Sequence, residues 1–84
     1  MRPDVAFIYK NKKIAVEIET GTNNKTQIQN KVEWLNKHFD YWIITAPKKE
    51  HKNYKNYVDK KKSFCLGSKK TEQKILELKE QLYK

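Results

Sequence analysis

Two carboxylates stand near the end of a short apolar stretch, Ala15-Val16-Glu17-Ile18-Glu19-Thr20-Gly21. The stretch reads as a strand, in which successive side chains alternate faces, so Glu17 and Glu19 project together and Val16 and Ile18 project oppositely. Burying charges on such a strand is unfavourable unless a cation or a hydrogen-bond network compensates them. The pair is therefore the first candidate for chemistry. A third acid, Asp4, follows Pro3 on the segment immediately upstream.

The elements around these acids follow from local pattern. Arg2-Pro3 opens an extended segment, and a strand is expected over about Asp4 to Tyr9. The polar Lys10-Asn11-Lys12-Lys13 predicts an antiparallel hairpin with a second strand over about Ile14 to Glu19. With the turn centred on Asn11-Lys12, Tyr9 faces Ile14, Ala6 faces Glu17 and Asp4 faces Glu19. All three acids then share one face at one end, with Val5, Phe7, Tyr9, Ile14, Val16 and Ile18 on the other.

Beyond the loop at 20–24, Ile28, Val32, Leu35 and Phe39 keep helical spacing and predict a helix from Lys25 to about His38. Tyr41-Trp42-Ile43-Ile44-Thr45-Ala46, ending at Pro47, reads as an interior strand parallel to strand two, which completes a βαβ unit. Glu50 to Asp59 predicts a weak helix with Tyr54, Tyr57 and Val58 as its apolar side. A fourth strand follows at Ser63 to Gly67, and a helix over Thr71 to Tyr83 carries Ile75, Leu78 and Leu82 on one stripe. The expected fold class is α/β: one domain over residues 1–84, a small mixed sheet flanked by helices.

The 84-residue chain carries a net charge of +9 with 35% charged residues, which favours a polyanionic partner, nucleic acid ahead of a membrane surface. A lysine-rich solubilising surface accounts for the same composition. Cys65 is the single cysteine, so an intramolecular disulfide and a multi-cysteine zinc site are excluded. The expectation is a chain of the cytoplasm, with neither a leader nor a membrane-length apolar run. Lys48, Lys49, Lys52, Lys55, Lys60, Lys61 and Lys62, interleaved with His51, Tyr54 and Tyr57, suit a phosphate backbone. His38 and His51 read as surface residues, Cys65 as core, and Trp34 as lying off the main stripe of its helix.

Pro3-Asp4, then Glu17-Ile18-Glu19, on a hairpin followed by a helix and a buried strand, resembles the PD-(D/E)xK nuclease superfamily, the fold of many restriction enzymes and Holliday-junction resolvases. The likeness spans Arg2 to Ala46. It implies a restriction-endonuclease-like sheet and a metal-dependent DNA endonuclease or exonuclease using Mg²⁺ or Mn²⁺. Asp4, Glu17 and the Ile18 carbonyl would be its metal ligands.

Position 19 is usually lysine in that family, and here it is glutamate, which would act as general base or add a metal contact. Some members carry the lysine on the following helix, and Lys25, with Gln29 one turn on, is the expected substitute; Gln27 is the other glutamine there. The family core also begins with a helix and a strand ahead of the proline-aspartate strand, which this sequence lacks. The expectation is either a fragment of a longer protein, or a C-terminal helix and a partner subunit, such as a second copy of the chain, supplying the cover that the first helix would give. A catalytically inactive nuclease-like module that binds nucleic acid is the alternative, and an assembly domain with a merely solubilising surface is a third.

Overall fold

The computed structural model describes residues 3–19 and 23–83. Strands β1 (Val5–Tyr9) and β2 (Lys12–Ile18) form an antiparallel hairpin, helix α1 (Lys25–His38) follows, and β3 (Tyr41–Thr45) lies parallel to β2. A 3₁₀ helix (Lys48–Asn53) then leads to β4 (Ser63–Leu66), parallel to β3, and the described chain closes with α2 (Ser68–Tyr83). The result is a four-stranded mixed sheet of order β1-β2-β3-β4, so the small α/β architecture expected from the sequence is present.

The hairpin register corrects the expected one by two residues. Lys10 and Asn11, with φ of 52° and 66°, occupy the turn, not Asn11 and Lys12. Tyr9 therefore pairs with Lys12, Phe7 with Ile14 and Val5 with Val16. Two-residue hairpin loops take positive φ because that matches the twist of the flanking strands, and Asn11 accepts it more readily than most residues. A shift of two preserves which face each side chain occupies, so the acid face and the apolar face survive. It moves Asp4 from opposite Glu19 to opposite Glu17.

Helix α1 begins at a capping box. The Asn24 side chain accepts from the Gln27 amide at 2.8 Å, and the Gln27 side chain accepts from the Asn24 amide at 2.9 Å. These two bonds satisfy donors that the first turn leaves without helical partners. Ile28, Val32 and Leu35 pack on Ala15, Trp42, Ile44 and Ala46. On the opposite face Leu78 of α2 meets Ile14, Tyr41, Ile43 and Phe64, with Ile75 and Leu82 at the margin. Both faces of the sheet are thus covered at β3, which explains why this strand is apolar throughout instead of alternating.

The expected weak helix over Glu50 to Asp59 is replaced by the 3₁₀ helix and turns through Tyr57. Tyr54 is buried among α1-facing residues, with Tyr57 and Val58 packed alongside. Docking of these aromatics onto the core settles the path where local propensity is weak. Among the described residues no helix is long and apolar enough to cross a membrane.

Candidate active site

The carboxyl end of β2 gathers the acids. The Ile18 amide donates to Asp4 Oδ2 at 2.7 Å, on the β1 side, whereas the Glu19 amide donates to the Thr45 carbonyl at 2.9 Å, on the β3 side. Extending the hairpin register sets Pro3 opposite Ile18. Proline has no N–H, so the Ile18 carbonyl has no ladder donor from β1, and Asp4 closes the end of the hairpin.

Helix α1 contributes the cation. Lys31 Nζ makes a short ion pair with Glu19 Oε1 and lies 3.6 Å from Glu17 Oε1. The other Glu19 oxygen accepts a short hydrogen bond from the Asn23 amide group. Glu19 is only 8% exposed, yet neither oxygen lacks a partner. Burial pushes the Glu17 carboxyl above its ordinary range; Lys31 opposes that shift, while the charges of Asp4 and Glu19 reinforce it. Three carboxylates against one ammonium leave two negative charges locally, inside a chain whose net charge is +9.

Around Glu19 the environment is closed. Burial pushes the Tyr54 hydroxyl up to about 12; a hydrogen bond with Asn23 opposes the rise and Glu19 adds to it. Cys65 is likewise pushed up to about 11, by burial and then by Glu19, so its thiol stays protonated at neutral pH and is a poor nucleophile.

The structure brings together Asp4, Glu17 and Glu19 and separates the expected helical assistants from them. Lys25 and Gln29 are exposed, Lys25 lining a groove with Asn23, Ile28, Asn53 and Tyr57, and the Gln27 side chain is spent on the helix cap. Lys31 was missed. The signal for it was present, because Ile28, Lys31, Val32 and Leu35 have the i, i+3, i+4, i+7 spacing of one helix face. A lysine on that stripe is either snorkelling to water or meeting an acid.

The other expected residues divide by position. Lys48, Lys49 and Lys52 belong to the 3₁₀ helix beyond the carboxyl end of β3, with Lys55 in the turns that follow. Lys60, Lys61 and Lys62 precede β4 and lie at the amino end of the parallel strands; Lys62 is level with Tyr41, three residues before the Ile44 that pairs with Glu17, or about 10 Å along the strands at ~3.3 Å per residue. A ring nitrogen of His51 is 2.8 Å from the Ala46 carbonyl, which braces the turn after β3. His38 and Phe39 pack against Trp34 at the edge of α1.

Among the described residues no group of three or more His, Cys, Asp or Glu side chains is arranged to hold a metal ion. The smaller set of Asp4, Glu17 and the Ile18 carbonyl is the one that could hold Mg²⁺ or Mn²⁺. Its donors are hard oxygens, and Mg²⁺ commonly takes only one or two carboxylates and completes its shell with water. The two uncompensated charges match a divalent ion. Glu19 differs from Asp4 and Glu17 in that both its oxygens are engaged, so in this arrangement it anchors Lys31. Comparison with protein-family models, with curated proteins and with solved structures gives no match.

Proposed function

We propose that this chain is a metal-dependent nuclease of the PD-(D/E)xK kind that hydrolyses phosphodiester bonds in DNA. The observation that carries the reading is Lys31, delivered from α1 to Glu17 and Glu19 while Asp4 stands across the hairpin from Glu17. The ammonium absent from position 19 is thereby restored from the next helix. A bound divalent cation would neutralise charge on the scissile phosphate and make a water nucleophilic.

The chain's own residues have distinct tasks in this reading. Asp4, Glu17 and the Ile18 carbonyl would hold the cation at the end of the hairpin. Glu19 and Asn23 position Lys31, whose remaining N–H groups orient the attacking water beside the phosphate. Preorganisation comes from the buried network, because rotating Lys31 would leave Glu19 charged and unpaired.

Cleavage of plasmid, branched and single-stranded DNA with Mg²⁺ or Mn²⁺ tests this. Activity should vanish in Asp4→Asn and Glu17→Gln and fall at least about a hundredfold in Lys31→Met, the range expected for one charge-stabilising donor. Absence of metal-dependent cleavage of all three substrates would refute it. The second reading, a binding module without catalysis, is favoured by one observation: Lys31 already compensates much of the charge on Glu17 and Glu19. DNA binding without cleavage is its expected outcome.

A further inference from the structure

The lysines at the amino end of the parallel strands sit on a loop built differently from the rest of the surface. Asp59 Oδ1 accepts from the amides of Lys61, Lys62 and Ser63 at 2.8, 2.7 and 3.0 Å, and from the Ser63 hydroxyl at 3.1 Å. The Ser63 hydroxyl in turn accepts from the Asp59 amide at 2.8 Å, and the Lys60 amide donates to the Ser63 carbonyl at 2.9 Å. Within this clamp Lys60 takes φ 63°, a left-handed conformation uncommon for a residue of its kind. The Lys62 carbonyl accepts from the Trp42 amide at 3.0 Å, which ties the loop to the interior strand.

Charge at this end is predominantly positive. Lys10 at the hairpin turn, Lys13 on β2, Lys37 in the last turn of α1, and Lys60, Lys61 and Lys62 all belong to it. None of them forms an ion pair among the described residues, where the pairs are those of Lys31 and Lys74. Of the acids at the same end, Asp40 accepts from the Lys13 amide at 2.8 Å and Asp59 holds the loop, while Glu80 in the last turn of α2 forms no ion pair among the described residues. Glu77, which borders Lys60 and Lys61, is paired with Lys74.

We infer that the Asp59-clamped Lys60-Lys61-Lys62 loop, with its neighbouring lysines, is a nucleic-acid anchor that grips phosphates on the end of the sheet opposite the acids. The clamp fixes the backbone in advance, so binding has less conformational entropy to lose. A nucleic acid fits better than a membrane surface. None of the exposed large hydrophobics, Val5, Ile8, Ile18, Leu76 and Tyr83, lies on the loop, and three lysines without an apolar insertion bind anionic lipid weakly.

The inference deepens the nuclease reading in one respect. Along the strands a duplex reaching from Glu17 to this loop must cover about 10 Å, or about three base pairs at ~3.4 Å each. Substrates shorter than this span would lose the anchor and be cut less efficiently.

The test is binding of a labelled DNA duplex without divalent metal, read by fluorescence anisotropy over a salt series. Replacing Lys60, Lys61 and Lys62 together by alanine should lower the slope of log K against log salt by about 2 to 3, at roughly 0.9 per phosphate contact. Duplex DNA should also protect these lysines from acetylation, read by mass spectrometry. All three are exposed, so the melting temperature should hold. An unchanged slope, equal acetylation with and without DNA, or loss of binding to phosphatidylserine vesicles alone would overturn the inference. DNA binding that depends on the loop but brings no cleavage refutes the nuclease and leaves the anchor; cleavage with an unchanged slope does the reverse.

Discussion

Lys31→Met isolates the energetic role of the ammonium, because methionine keeps most of the stem and deletes the charge. The relevant side chains are largely out of water, with 15% of Lys31, 16% of Glu17 and 7% of Glu19 exposed. Removing one partner of a fully buried ion pair costs about 3–5 kcal/mol, chiefly by leaving the other charge uncompensated. Residual exposure admits some water, and a carboxyl can escape the penalty by taking a proton, so about 2–4 kcal/mol is expected at neutral pH.

For a domain of this size that corresponds to a fall in Tm of roughly 10–25 °C. The pH dependence has a definite sign. Glu17 is already raised above its unfolded value of 4.5, so it binds protons more readily folded than unfolded, and its effect lowers stability as pH rises through that interval. Losing Lys31 removes the cation opposing this shift and widens the interval. The stability deficit of the variant relative to wild type should therefore shrink as pH falls from neutral toward about 5, in thermal melts followed by circular dichroism. A Tm within about 2 °C of wild type at neutral pH, or a deficit that grows on acidification, would refute the argument.

Three further outcomes follow from other parts of the structure. Mg²⁺ or Mn²⁺ in hundredfold excess over its Kd should stabilise the wild type by about 2.7 kcal/mol in melting experiments, with no gain in Asp4→Asn. Backbone hydrogen bonds from Lys62 and Lys61 first, then Ser63, hold Asp59 down to about 2 against an ordinary 3.8. Its contribution is therefore complete above the unfolded value and is lost as pH falls toward 2, so Asp59→Ala should be less stable than wild type at pH 5–7 and converge with it near pH 2 in denaturant titrations. Asn24→Ala breaks the capping box of α1 and should lower unfolding free energy by about 1 kcal/mol, measured as a lower urea midpoint at unchanged slope.

Much of the architecture was legible because single-residue pattern and burial agree. The unbroken apolar run Tyr41-Trp42-Ile43-Ile44 has one sensible place, an interior strand covered on both sides, and the structure buries all four residues. Ile28, Val32 and Leu35 likewise specified both the helix and its inward face. The hairpin register was less legible. Only Asn11 announced a positive φ, and the second left-handed residue, Lys10, has no side-chain signature for it; pairing of Phe7 with Ile14 and Val5 with Val16 selects the turn.

For the candidate site, residue order alone places Asp4, Glu17 and Glu19 on one face near one end of the hairpin, because strand alternation has a period of two and survives a two-residue slip. What each acid meets depends on strand pairing and helix docking. The register put Asp4 beside Glu17, and the docking of α1 brought Lys31 to Glu19, leaving Lys25 and Gln29 in solvent. A lysine on a helix carries the same local signal whether it points to water or to a buried carboxylate. The choice is made by where the helix lands, since an uncompensated Glu19 would be costly at that depth and Lys31 is the cation whose stem reaches it.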